Sequence, residues 1–99
     1  MSEEVPEEVL AKVEAALYAS GRPLNAEELA KVAGTTSTRK AIGMAREVAK
    51  SVARSLRSVE VVEYPSTRFA MQLKTKYTLV ARKFATRPLL SRGALRTLS

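Results

Sequence analysis

Val9, Leu10, Val13, Ala16 and Leu17 recur at the spacing that lines one face of a helix. Pro6 is placed at the first helical position, where its missing N–H costs nothing, and Glu7 and Glu8 beside it complement the helix dipole. Gly21 offers the left-handed residue that closes a helix, and Pro23 forbids its continuation. Asn25 then caps a second, short helix that buries Leu29 and Val32. Glu28, three residues on, completes a capping box, and Gly34 ends the element. Two helices joined so tightly must pack at an angle, as in half of a helix-turn-helix.

A third helix follows from the hydroxyl-rich start Thr35-Thr36-Ser37 and reaches about Leu56. Ala41, Ile42, Ala45, Val48, Ala49, Val52 and Leu56 share its apolar face. Arg39, Arg46, Lys50, Arg54 and Arg57 fall in a separate basic stripe, with Gly43 between the first two. Met44, Ser51 and Ser55 lie on a further, weakly polar side suited to a second subunit or to solvent.

The period then changes from helical to alternating. Val59–Tyr64 and Phe69–Lys74 read as two strands, with Pro65-Ser66-Thr67-Arg68 as the turn, and Phe69, Met71 and Leu73 facing the helices. Tyr77, Val80, Ala81 and Phe84 return to helical spacing and predict a fourth helix running back across the domain. The fold class is α+β, a winged helix-turn-helix of three helices, a two-stranded wing and an additional C-terminal helix, over residues 1–85. Residues 86–99 read as a linker broken by Pro88, then a helix capped by Ser91, which predicts the start of a second, truncated domain.

Composition narrows the chemistry. The 99 residues contain no Cys and no His, and all ten acids are Glu, so the usual metal ligands and nucleophile–base pairs are missing. Glu14, Glu47, Glu60 and Glu63 show no acid–base spacing. A non-catalytic protein without metal, cofactor or small-molecule substrate is expected. No signal-peptide pattern or membrane-length apolar run occurs, which predicts a cytoplasmic protein.

The net charge of +7 is segregated. Residues 1–34 hold three basic residues and seven Glu; residues 35–99 hold fourteen basic residues and three Glu. An anionic partner for the second part is one implication, and a solvated, Lys- and Arg-rich surface is the other. Candidate DNA- or phosphate-binding residues are Thr36, Ser37, Arg39, Lys40, Arg46, Lys50, Arg54, Arg57 and Arg68. Arg39 and Lys40 oppose the helix dipole by a few tenths to about 1 kcal/mol each, a sign that a phosphate would reverse. The stripe lacks Asn and Gln, so it favours backbone contact over base reading. Tyr18, Tyr64, Phe69, Tyr77 and Phe84 follow the buried faces and read as core or interface.

Three ordered segments resemble the segregation and condensation protein B family. They are Val13 through Leu24 (VEAALYASGRPL) with Glu27-Glu28-Leu29-Ala30, Arg68 through Tyr77 (RFAMQLKTKY), and Pro88 through Ser99 (PLLSRGALRTLS). The resemblance implies tandem winged helices, homodimerisation through the first, and binding of the kleisin subunit of a chromosome-organising complex that draws heavily on the second. It implies a scaffold acting in chromosome segregation and condensation, nucleoid-associated and tied to the cell cycle. The family's third helix is commonly acidic, so the resemblance does not account for the basic stripe. A winged-helix DNA-binding transcription regulator remains the competing reading.

Overall fold

The computed structural model describes residues 5–84. Helix α1 spans Glu7–Ser20, α2 Ala26–Ala33 and α3 Thr38–Ser55. The hairpin strands β1 (Val59–Tyr64) and β2 (Arg68–Leu73) follow, then a single 3-10 turn and helix α4 (Thr78–Phe84). The linker and second-domain start expected over 86–99 lie outside the described residues.

The helix ends obey local chemistry. Pro6 sits one place earlier than expected: its extended ψ of 146° makes it the residue flanking α1, and its carbonyl accepts from the Val9 and Leu10 N–H groups at 3.0 and 3.2 Å. Gly21 closes α1 at φ 68° and Gly34 closes α2 at φ 78°. Both stand in open space, so backbone conformation rather than crowding requires glycine there. Past α2, the Thr35 N–H donates to Ala30 and the Gly34 N–H to Lys31, the paired bonds that satisfy a helix's last carbonyls. Ser37 caps α3 by accepting from the Lys40 N–H at 3.1 Å, and Thr35 Oγ1 accepts from the Ser37 N–H.

Helix α3 is the centre of the domain, packed against α1, α2 and β1. Its small Ala41 and Ala45 are fully buried, which lets the neighbouring helices approach closely, and Val48 and Val52 complete the seam. Val13 and Leu17 from α1, Leu29 and Ala30 from α2, and Phe69 from β2 close the core. Each large apolar side chain buried this way stabilises by roughly 1.5–3 kcal/mol. Two expectations for α3 fail. Met44 is buried in this core instead of facing a second subunit or solvent, because three elements surround α3 and widen its buried arc beyond one stripe. Leu56 turns to extended backbone at the helix end (φ −121°, ψ 143°) and is half exposed.

The hairpin is antiparallel, from Val59 opposite Leu73 to Tyr64 opposite Arg68, so β2 begins one residue earlier than the alternation suggested. Ser66 and Thr67 take positive φ, 67° and 53°, to turn the chain. Phe69 and Met71 pack on the helical core as expected, as do Val59 and Val61 from β1. On the opposite face, the Tyr64 hydroxyl donates to Gln72 Oε1 at 2.7 Å.

The hairpin is not isolated. Leu24, in the α1–α2 connector, exchanges two backbone hydrogen bonds with Phe69, at 2.8 and 2.9 Å. This one-residue third strand covers the edge of β2 and fastens the connector to the wing. A single residue between Pro23 and Asn25 is too short to show alternation in sequence.

Helix α4 corrects the largest structural expectation. It does not return across the domain with its apolar face inward: Leu79 is 65%, Val80 55% and Phe84 79% exposed. Of the five aromatic residues read as core or interface, Phe69 alone is buried in the core, whereas Tyr18 is 80% exposed.

Candidate functional site

Among the described residues, three surface features are candidates for function: the charged connector, the basic face of α3, and the apolar surface of α4 with the seam between α1 and α3.

At the connector, Asn25 and Glu28 form the full capping box. The Glu28 N–H donates to Asn25 Oδ1 at 2.8 Å, and the Asn25 N–H donates to Glu28 Oε1 at 2.9 Å. Arg22 adds a forked contact to the same carboxylate, at 3.2 and 2.8 Å, and a bond to the Pro23 carbonyl. The Arg22 guanidinium first, then the Asn25 N–H, hold the Glu28 carboxyl down to about 2. The folded-state value lies below the unfolded one, so this stabilisation is complete above the ordinary carboxylate range and fades as pH falls through it toward 2. The expected outcome is a Glu28→Gln variant less stable than wild type in urea at pH 7, with the gap much narrower at about pH 2.5. Equal gaps at both pH values would show that the charge of Glu28 contributes nothing.

The basic stripe of α3 is real but divided. Arg39, Lys50 and Arg54 stand exposed on the face opposite the core, spread along the helix over roughly 22 Å. Arg46 in their midst is engaged: its Nε and Nη2 donate to the Glu63 carboxylate of β1 at 3.2 and 3.0 Å. That hydrogen-bonded pairing holds Glu63 below the usual carboxylate range and raises Arg46. Arg57 lies beyond the end of α3. Arg68 donates from Nε to the Pro65 carbonyl at 3.1 Å, bracing the turn at the wing tip. Thr36 is exposed beside Ser37, whose hydroxyl is spent on capping α3. The nine candidates therefore form no single patch: Arg39, Lys50 and Arg54 share one face, and Arg46 and Arg68 serve the wing.

Sequence reading missed the Arg46–Glu63 bridge, which joins residues 17 positions apart. It also missed two open pockets between α1 and α3 that adjoin at Glu7, Leu10 and Glu47 and together make a groove, the larger with a volume of about 860 Å³. Leu10, Met44 and Val48 line the groove, with the carboxylates of Glu7, Glu14 and Glu47 around them. Glu7, Glu14 and Glu47 have no ion-pair partner among the described residues. Also among the described residues, no group of three metal-ligating side chains occurs, and no helix is long and apolar enough to cross a membrane.

Against known families, residues 11–99 match the model of the segregation and condensation complex subunit ScpB. The chain belongs to that family. No curated protein matches the sequence. Among solved structures, the chain is similar to a dimer of a ScpB N-terminal domain complexed with a ScpA peptide, with a TM-score of 0.68 at 24% identity. The likeness covers 87% of this chain and 98% of the other. It establishes the winged-helix fold. The family membership also accounts for the three segments whose resemblance was visible in the sequence, although the basic face of α3 has no explanation in it.

Proposed function

We propose that this chain is a non-catalytic scaffold subunit of a chromosome segregation and condensation complex, which self-associates as a homodimer and binds a kleisin partner in the cytoplasm, at the nucleoid. The observation that carries this reading is the ScpB family match over residues 11–99, on a fold shared with a dimeric, peptide-bound ScpB N-terminal domain. Exposed apolar residues on α4 supply surface for association, since side chains such as Phe84 gain most when removed from water. Calorimetric titration with a segment of the cognate kleisin tests the partner: saturable binding is expected, and none at high concentration would contradict it.

The scaffold also holds DNA through its backbone, using Arg39, Lys50 and Arg54 on the outer face of α3. The absence of Asn and Gln from that face, together with the commitment of Arg46 to Glu63, supports phosphate contact over base reading. A Lys50→Gln/Arg54→Gln variant is expected to weaken DNA binding equally across sequences and to reduce the slope of log K against log salt by about 0.9 for each phosphate no longer neutralised. Weakening confined to one sequence would instead favour a transcription regulator.

A further inference from the structure

Among the described residues, two exposed surfaces have complementary chemistry. On α4, the side turned outward carries Leu79, Val80 and Phe84, all more than half exposed, together with Arg82 and Lys83; Thr78 and Ala81 lie on its half-buried side. Residues 74–84 contain four basic residues and no acid. The α1–α3 groove presents the reverse: the half-buried Val5 and Leu10 at its surface, backed by the core residues Met44 and Val48, and the carboxylates of Glu7, Glu14 and Glu47 around them. Lys40 and Arg54 stand toward its two ends on α3, with Glu7 and Glu47 shared by both parts of the groove and Glu14 in the part that Arg54 lines.

We propose that the α1–α3 groove is the seat of α4 from a second copy of this chain, each copy giving its α4 and receiving its partner's. The proposal rests on the self-association stated above and specifies its interface. Dimensions permit it: α4 is seven residues, roughly 10 Å long, and the groove follows α3 from Lys40 to Arg54, roughly 21 Å. Leu79, Val80 and Phe84 then cover Val5 and Leu10, while Arg82 and Lys83 meet Glu14 and Glu47. Because each copy carries both halves, a two-fold axis satisfies all four surfaces at once and the assembly closes at two. Buried apolar side chains supply the attraction, and the charges fix the direction in which α4 lies.

A charge exchange tests this on the full 99-residue chain by sedimentation velocity, with circular dichroism confirming that each variant is folded. The Arg82→Glu/Lys83→Glu variant should weaken the dimer at least tenfold, and so should Glu14→Lys/Glu47→Lys. Combining all four substitutions should restore association to within about threefold of wild type, since every opposed pair is then again of opposite sign. If wild type is dimeric and either pair of substitutions leaves its dissociation constant unchanged, the groove assignment is overturned while self-association stands. If wild type itself is monomeric at high concentration, the underlying reading fails instead. If Glu14→Lys/Glu47→Lys stays dimeric but loses the kleisin segment, the groove belongs to the kleisin and the proposal is overturned.

Discussion

Phe69→Ala is expected to lower the stability of the domain by about 3–5 kcal/mol, the cost of removing a large buried aromatic and leaving a cavity. Phe69 is 1% exposed and lies where the wing, the α1–α2 connector and the helices converge. Its backbone bonds to Leu24 survive the substitution, so the change isolates the side chain. A small domain has about 5–15 kcal/mol in total, so the variant is left close to its limit. At about 4–8 °C per kcal/mol, the thermal midpoint should fall by more than about 12 °C. Phe84→Ala is the matched control: Phe84 is 79% exposed, and in the isolated protomer its loss should change stability by no more than about 0.5 kcal/mol. Equal, small shifts for both would show that Phe69 is not the keystone between wing and helices.

Leu29→Ala is the second large effect, about 2–5 kcal/mol. Leu29 is fully buried, and α2 has only eight residues, too few to hold a helix in water without tertiary contacts. The capping box fixes where α2 begins, but Leu29 and Ala30 are what fasten it to the core. Hydrogen exchange should therefore show α2 amides losing protection more than those of α3, alongside a lower melting midpoint. Uniform loss across both helices would mean that α2 unfolds only with the whole domain.

What could be read from the sequence, and what could not, divides by distance along the chain. The Asn25–Glu28 box, the Gly21 and Gly34 closures and the Ser37 cap all depend on partners within a few residues, and each stands where the residue order put it. The alternation over Val59–Tyr64 located the wing for the same reason. Met44 is different: its burial depends on how α1, α2 and β1 surround α3, and helical spacing alone does not encode that. The Leu24–Phe69 bridge and the Arg46–Glu63 pair likewise join segments that only the fold brings together. The basic stripe was legible as a stripe, but its division into exposed cations and a wing-bracing Arg46 was not. Helix α4 showed the converse error. Its apolar spacing was correct and its destination was wrong, because periodicity identifies a face without naming what covers it.

That exposed face bears on the proposed scaffold role, since an apolar helix surface gains stability by being removed from water against another surface. The most direct measurement is the mass of the purified 99-residue chain in solution, by light scattering across micromolar to millimolar concentrations. A self-associating scaffold should give twice the 10.8 kDa chain mass, approached cooperatively and without larger species. A constant mass of 10.8 kDa up to the highest concentration would contradict it.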